Sequence, residues 1–441
     1  MAGGLMQLVA YGAQDVYLTG TPKVTFFQAV YKRHTNFAME NIEQTVNGSS
    51  TDNGRVSVTI ARNGDLIGDM YVELTAQSDV TSRAGDNSVK SGCWVAERAI
   101  KDIELSIGGQ RIDKHYQIWW RLYSELMLDE SKKATYAKMT TDSVTGSSTV
   151  YLPLLFFFNR NPGLYLPLIA LQYHEVRLDF DLSSEYAQYI SGSLKVWGNY
   201  IYLDTEERRR FAQKSHEYLI EQVQHTGTDT VEDANTKQVR LSYNHPIKEL
   251  VWCFNNGGVS NAQVWNFTPD AGVSNAVVLE SNPHSLASST EGNVCALSSI
   301  SCGTGVPQLL TGNLAAVAST SRWVEDAGPA AGISGGPLDT FKLILNGQDR
   351  FKEQKGKYFN QVQPFNHHSG CPYPGVYSYS FALKPEEHQP TGTCNFSRID
   401  NAQVAVKLKS GSGNCTTMHM FATNYNVLRI QSGMGGLAFS N

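Results

Sequence analysis

The chain has 441 residues, enough for two or three domains with full hydrophobic cores, and only 17% of its residues are charged. Its net charge of -5 provides no basic field, which argues against genome binding as its main task. Seven scattered cysteines without a Cys-x-x-Cys pair disfavour a zinc cluster or a dense disulfide framework, so reduced thiols are expected.

Residues 1–24 are predicted to form an apolar arm that precedes the β-rich part of the chain. The first lysine is Lys23, so the arm lacks the basic start of a secretory signal, and we expect a soluble, unprocessed chain. Its apolar side chains would expose a large surface unless they docked on something. We expect either contact with a partner or packing on the protein's own core. The candidate contact residues are Leu5, Leu8, Tyr11, Tyr17 and Leu18.

Residues 25–212 are predicted to form a first β-domain. Apolar and polar side chains alternate from Arg55 to Ile60 and again from Val176 to Leu182, as in half-buried antiparallel strands. Between them, apolar residues recur at helical spacing from Tyr116 to Leu128. This segment is the one convincing helix, and we expect it to pack on a sheet rather than form a cofactor site.

Residues 213–441 are predicted to form a second β-domain, joined to the first near residues 203–213. The join contains three consecutive arginines, but acidic residues precede them, which favours a solvated or salt-bridged connector over a nucleic-acid patch. Residues 256–337 are rich in Ser, Ala, Gly, Asn and Thr and carry few charges. That composition predicts long inserted loops at the surface.

The two predicted domains share a strand-turn unit. Ile103 to Arg111 and Phe341 to Arg350 each lead an apolar strand into a Gly-Gly or Asn-Gly pair, which suits a tight hairpin turn. An offset of 181 residues aligns Val58 with Val239, and the hairpins align after an insertion of about 57 residues in the second half. We therefore predict a tandem duplication of one β-sandwich with some eight short strands.

No catalytic, cofactor-binding or metal site is predicted. The Gly-x-Ser-x-Gly sequence at residues 332–336 lies in a Gly/Ala/Pro connector and lacks the strand-turn-helix context of a hydrolase. His367, His368 and Cys371 match no familiar ligand spacing. An enzyme would need carboxylates that face each other across a cleft, and the acidic pairs here are neighbours in sequence.

Four Asn-x-Ser/Thr sequons are weak candidates for glycosylation, because no secretory signal accompanies them. We expect the one in the inserted segment, Asn266, to be the most exposed. The four candidates are Asn47, Asn266, Asn395 and Asn414.

Longer motifs go beyond strand alternation. They are GLMQLVAYGAQDVYLTG (4–20), YKRHTNF (31–37), IGGQRIDKH (107–115), PLIALQYHEV (167–176), LNGQDRF (345–351), CNFSRIDN (394–401) and NYNVLRIQSGMGG (424–436). In these stretches the chain resembles the major capsid proteins of nucleocytoplasmic large DNA viruses, and the algal-virus members in particular. The likeness covers nearly the whole chain apart from the inserted loops.

The resemblance implies an all-β fold of two consecutive eight-stranded jelly rolls, with a short N-terminal arm and a few short helices. It implies homotrimers that act as capsomers and tile an icosahedral shell. The virion is expected to be assembled in the host cytoplasm. Minor capsid proteins are expected to bind the arm on the inner side. The chain is expected to contact an internal viral membrane only indirectly. No cofactor is implied. Algal-virus members carry glycans at asparagines outside the usual sequon, which weakens the four sequons as markers.

Two other classes of function are compatible with β-sandwiches. A carbohydrate-binding protein would suit the loops and aromatic residues, and its isolated monomer would bind glycans. An enzyme would show a cleft with converging carboxylates, or with Ser and His, and measurable turnover.

Overall fold

The computed structural model describes residues 6, 8–10, 12–77, 94–140, 149–232, 235–255, 267, 336–370, 372, 374–410 and 415–439. The chain divides into two compact units, residues 1–37 and residues 38–441. The predicted domain limits at 24/25 and 212/213 stay predictions.

Ten strands precede residue 204 and form two antiparallel sheets in the described part of the chain. One sheet has the order β1-β10-β4-β7, with β8 on β4, and the other has the order β2-β3-β9-β5-β6. The strands are β1 (Phe37–Gln44), β2 (Val46–Gly48), β3 (Arg55–Thr59), β4 (Leu66–Thr75), β5 (Ile100–Ile107), β6 (Gln110–Tyr116), β7 (Thr149–Pro153), β8 (Leu166–Pro167), β9 (Val176–Leu182) and β10 (Lys195–Leu203).

A second pair of sheets follows residue 215. Its orders are β11-β20-β13-β17, with β18 on β13 and β21 on β20, and β12-β19-β14-β15, with β16 on β14. The strands are β11 (His216–Thr230), β12 (Thr236–Leu241), β13 (Pro246–Asn255), β14 (Leu338–Leu345), β15 (Gln348–Asp349), β16 (Gln354–Lys355), β17 (Val376–Ser380), β18 (Cys394–Asn395), β19 (Ala402–Leu408), β20 (Thr417–Gln431) and β21 (Met434–Leu437).

The two pairs of sheets have the same topology. In chain order β1, β3, β4, β5, β6, β7, β9 and β10 correspond to β11, β12, β13, β14, β15, β17, β19 and β20, and each occupies the same place in its sheet. Eight strands in two sheets with this order make a jelly roll. The predicted duplication of one eight-stranded sandwich is therefore confirmed.

Each sandwich has its own core between its two sheets. In the first, alternate residues of β3, β4 and β9 point inward, and Val58, Val72 and Phe180 are fully buried. In the second, the Trp252 and Phe341 rings stack with centroids 4.3 Å apart. The alternation that predicted these strands thus marks the side chains that fill the cores.

The duplicated hairpins have the predicted geometry. Gly108 and Gly109 turn from β5 into β6 with φ values of 59° and 83°. Asn346 and Gly347 turn from β14 into β15 with φ values of 50° and 80°. Two successive residues with positive φ match the twist of an antiparallel pair, and Asn and Gly tolerate that conformation best.

Helices lie in the connections between strands. The predicted helix at residues 116–128 is confirmed as α3, but the structure adds α4, which the sequence did not reveal because its apolar residues form no stripe. The helices are α1 (Val16–Thr19), α2 (Val95–Ala99), α3 (Gln117–Leu126), α4 (Glu130–Thr140), α5 (Phe157–Arg160), α6 (Tyr186–Tyr189), α7 (Thr205–Gln213) and α8 (Gln363–His367), with a π-helical turn at Tyr358–Val362 and 3-10 turns at Pro162–Leu164 and Phe396–Arg398.

The connector near residues 203–213 is helical rather than irregular. It forms α7, whose three arginines follow Glu206 and Glu207. Arg208 lies 3.0 Å from the Asp65 carboxylate, in line with the predicted salt-bridged connector. No helix within the described residues has the length and apolar character that a bilayer crossing would require.

Candidate interaction surfaces

The two sandwiches meet at an apolar junction built from α3 and one face of the second sandwich. Ile118, Trp119 and Leu122 of α3 are buried in one cluster with Val251 of β13 and Phe421 of β20. The Trp119 and Phe421 ring centroids lie 5.6 Å apart. Val251 and Phe421 are partners in the β13–β20 ladder, so they share the sheet face that points away from the core of the second sandwich.

Strand edges also meet at this junction. The Asp113 carboxylate of β6 accepts a 3.0 Å hydrogen bond from the Val223 backbone N–H of β11. The Gln110 side-chain oxygen accepts a 3.1 Å hydrogen bond from the Leu437 backbone N–H. Side chains thus hold the edge strand of the first sandwich against the strands of the second. Because these bonds are not backbone ladder bonds, the sheets of the two sandwiches stay separate.

A buried ion cluster completes the junction. Glu221 of β11 lies 3.0 Å from Arg160 and 2.7 Å from Lys248. Burial alone would raise the pKa of Glu221, but the two cations outweigh it and hold that pKa below its usual value. Sequence reasoning missed this cluster, because its members are spread over three separate elements.

The first sandwich carries the same sheet face, and no helix among the described residues covers it as α3 covers the second. Tyr71 and Trp197 are partners in the β4–β10 ladder, at the place that Val251 and Phe421 hold in the second sandwich. Trp197 donates a 2.8 Å hydrogen bond to Glu73, and the Tyr71 and Tyr151 rings lie 5.7 Å apart. Unlike the buried pair of the second sandwich, these side chains are part-exposed. We call this surface, formed by Tyr71, Glu73, Tyr151 and Trp197, the open face.

The second sandwich carries an uncovered counterpart of α3. Tyr358–Val362 and α8 occupy the connection before β17, just as α3 and α4 occupy the connection before β7. Phe365 of α8 is 87% exposed, and Leu383, whose backbone carbonyl lies 3.1 Å from the His367 ring, is 74% exposed. We call Val362, Phe365 and Leu383 the exposed ridge. Such an apolar patch indicates a contact surface.

Two groups of aromatic residues in the first sandwich have separate roles. Trp119 lies in the junction, whereas Trp120 and Phe156 to Phe158 lie in the core of the first sandwich. The His115 ring stacks on Phe156 with centroids 4.4 Å apart. All five aromatic side chains are buried within the chain.

The arm residues that lie within the described residues are exposed. Leu8, Tyr17 and Leu18 have exposed side chains, with Tyr17 and Leu18 in α1, and Leu5 and Tyr11 lie outside the described residues. Phe26, Phe27 and Tyr31 continue this exposed apolar surface. The arm is therefore a candidate contact segment, and partner binding stays a prediction.

Two of the four sequon asparagines can be placed. Asn47 in β2 and Asn395 in β18 are exposed, whereas Asn266 and Asn414 lie outside the described residues. The Asn395 side-chain oxygen accepts a 3.0 Å hydrogen bond from the Ser397 backbone N–H, which caps the 3-10 turn that follows.

The motifs that sequence reasoning set aside form no reactive centre among the described residues. His367 and His368 lie at the end of α8, and no group of three metal-ligating side chains occurs in the described segments. Cys371 and residues 332–335 lie outside these segments. Cys253 and Cys394 carry free thiols.

Comparisons with known proteins match the whole chain. A family model described as "Major capsid protein N-terminus" matches residues 25–204, and one described as "Large eukaryotic DNA virus major capsid protein" matches residues 207–436. The major capsid protein of Paramecium bursaria Chlorella virus 1 is 44% identical, with all of both chains covered. That of Phaeocystis pouchetii virus is 39% identical, also over all of both chains.

Solved structures agree with these relatives. The crystal structure of VP54 from the first of these viruses matches with a TM-score of 0.73 at 40% identity, and covers 95% of this chain and 100% of that one. A quasi-atomic model of the same virus's capsid gives the same values. The major capsid protein of Faustovirus matches with a TM-score of 0.64 at 12% identity, over 97% and 96% of the two chains, which shows the shared fold.

Proposed function

This chain belongs to the family of large eukaryotic DNA virus major capsid proteins, and we propose that it fulfils its structural role in the virion capsid as a homotrimer with a pseudo-hexagonal outline. Capsid assembly rests on self-association of such proteins. A carbohydrate-binding role is not favoured, because full-length capsid proteins account for the whole chain. We propose no catalytic activity.

The observation that carries this proposal is the repeated topology of the two sandwiches. Three chains with two like sandwiches each present six similar units around a threefold axis. A six-sided outline lets identical particles tile a surface without gaps. Such trimers then pack as the capsomers of an icosahedral shell.

The junction within one chain supplies a template for the contact between chains. There, α3 of the first sandwich covers the outward sheet face of the second. α8, which carries Phe365 of the exposed ridge, is the topological counterpart of α3, and the open face is the counterpart of the covered sheet face. We therefore propose that the exposed ridge of one chain packs on the open face of the next, and that three such contacts close the ring.

A charge placed on the exposed ridge should prevent this contact. Phe365→Asp buries a carboxylate against the part-exposed aromatic residues of the open face, so we expect the trimer to dissociate to monomers that keep the wild-type fold. Sedimentation velocity measures the particle mass, and circular dichroism checks the fold. Tyr173→Asp is the matched control, because Tyr173 is 74% exposed and lies outside both surfaces. A Phe365→Asp protein that still sediments as a trimer would refute this contact.

The orientation in the shell is also a proposal. β11 runs parallel to β13, since both pair antiparallel with β20, so β11 begins at the end opposite the connection from β13 to β14. That connection is residues 256–337, the predicted inserted loops. We propose that they face outward, and that the arm and the opposite end face inward toward minor capsid proteins, with a membrane contacted only through those proteins.

Two further proposals concern modification and assembly. Covalent glycans would suit an outer shell protein, and the candidate asparagines are Asn47, Asn266, Asn395 and Asn414. Assembly is proposed to take place in the host cytoplasm, in keeping with the reduced thiols expected from the cysteine pattern.

A further inference from the structure

A short segment of the second sandwich, residues 368–370, ties that sandwich to the end of α3 in the first. The Gly370 backbone N–H donates a 2.9 Å hydrogen bond to the Leu126 carbonyl, and the Ser369 hydroxyl donates a 3.2 Å hydrogen bond to the Met127 carbonyl. A Cβ atom on Gly370 would lie 2.4 Å from the Glu125 carbonyl oxygen, so this close approach requires glycine. These two bonds satisfy carbonyls that the last turn of a helix leaves open.

The histidine at the start of this segment is buried between two carboxylates. The His368 side chain is 0% exposed; its Nε2 lies 3.6 Å from Glu249, and its Nδ1 lies 3.5 Å from Glu386. Glu249 is buried as well, and neither of its carboxylate oxygens has a hydrogen-bond partner among the described residues. Glu386 also accepts a 2.8 Å hydrogen bond from the Ser369 backbone N–H.

Counting protons shows which form of His368 suits this position. A neutral imidazole carries one N–H and can donate to only one of the two carboxylates. The lone pair of its other nitrogen then points at the second carboxylate, which is also an acceptor. An imidazolium ion carries two N–H groups on opposite sides of the ring and can donate to both. When both carboxylates are ionised, protonation of His368 therefore satisfies both at once, whereas deprotonation leaves one of them opposite an acceptor.

The other charges around His368 do not replace this role. Lys248, next to Glu249 on β13, is held by Glu221 at 2.7 Å. Burial raises the pKa of Glu249, and the attraction of His368 and Lys248 offsets only part of that rise. A cavity of about 220 Å³ beside Glu249, Ser369 and Glu386 is also lined by the charged or titratable side chains of Asp129, Lys132 of α4, Arg160 and His115.

The pKa of Glu386 shifts in the opposite direction to that of Glu249. Burial alone would raise the pKa of Glu386, but its contacts with His368 and the Ser369 backbone outweigh burial and lower that pKa. Glu386 therefore stays ionised into the mildly acidic range in which histidines gain a proton.

We propose that residues 368–370 form a pH-sensitive clasp across the junction, closed when His368 is protonated between Glu249 and Glu386 and loosened when His368 loses that proton. The contribution of the clasp to the stability of the junction is largest at mildly acidic pH and smallest at alkaline pH. It lies within one chain, so it does not depend on trimer formation.

The test compares thermal unfolding of wild type and two variants between pH 5.5 and pH 9. His368→Gln keeps a donor at this position but cannot gain a charge. Glu386→Gln leaves one carboxylate, which neutral His368 can satisfy, and Glu386 is accessible enough to tolerate an amide. His367→Gln is the control, because the neighbouring His367 ring contacts the Leu383 carbonyl instead.

We expect wild type to exceed both clasp variants in Tm by about 2–4 °C at pH 5.5 and by less than about 1 °C at pH 9. The control should follow wild type at both pH values. A difference between wild type and the clasp variants that stays the same at pH 5.5 and pH 9 would mean that His368 only fills space, and would overturn the proposal. Should His368→Gln fail to fold, Glu386→Gln alone decides.

Discussion

Replacing Arg121 with alanine is expected to lower the free energy of unfolding by about 3–5 kcal/mol, because it removes a buried cation that two buried carboxylates share. The Arg121 guanidinium lies 3.4 Å from Glu97 and 3.1 Å from Glu125. It also stacks 3.4 Å above the Trp94 ring. Burial raises the pKa of Glu97, and Arg121 offsets part of that rise.

Urea denaturation followed by tryptophan fluorescence measures this loss. Arg177→Ala is the control, since Arg177 pairs with Asp179 at 2.8 Å but is half-exposed, and such a pair contributes about 1 kcal/mol or less. The same loss in both variants would show that Arg121 carries no special weight in the helical layer of the first sandwich.

Acid is expected to weaken the junction through a pair of stacked histidines. His225 and His419 stack with ring centroids 5.8 Å apart, and His225 also stacks on Phe421 at 4.5 Å. Burial lowers the pKa of His225 to about 4. Burial, together with the charge of His225, lowers the pKa of His419 to about 3. Both rings are therefore neutral in the folded protein at neutral pH.

The sign of the effect follows from proton uptake. Below about pH 6.5 an unfolded chain protonates these histidines, whereas the folded chain resists until about pH 4 or below. The free energy of unfolding that comes from burying these two neutral histidines is fully present above pH 6.5 and is lost as pH falls toward 4. At about 1.4 kcal/mol per pKa unit, and allowing for solvent screening, His225 alone accounts for roughly 2–3 kcal/mol.

Thermal unfolding of His225→Phe between pH 7 and pH 4 checks this expectation. A phenylalanine at position 225 can still stack on Phe421 but cannot be protonated. The Tm of the variant should therefore fall less on acidification than the Tm of wild type. His34→Gln changes an exposed histidine of the first unit and should follow wild type. Parallel curves for His225→Phe and wild type would place the acid sensitivity elsewhere.

The features that could be predicted from sequence are local. The Gly108-Gly109 and Asn346-Gly347 pairs determine their turns through two adjacent residues. Alternation in β3 and β9 is likewise read from neighbours, and repetition of both signals revealed the duplication. The resemblance to capsid proteins added the strand order, which alternation alone does not specify.

The features that could not be predicted depend on contacts distant in sequence. Arg160 and Glu221 are 61 residues apart and meet only because two sandwiches pack together. The sequence pattern carries no signal for the contacts of His368, because its two carboxylate neighbours lie on a strand and on a separate loop. The sequence did not predict α4, because only a few of its side chains, such as Tyr136 and Ala137, are buried.

The central claim is that two like sandwiches in one chain make three chains into a six-sided particle. Electron microscopy of the purified protein tests it most directly, with mass photometry on the same sample. We predict particles of three times 48.6 kDa, in which six sandwich densities surround a threefold axis and alternate between first and second sandwiches of successive chains. Monomers, or twofold dimers in which like sandwiches face each other, would contradict it.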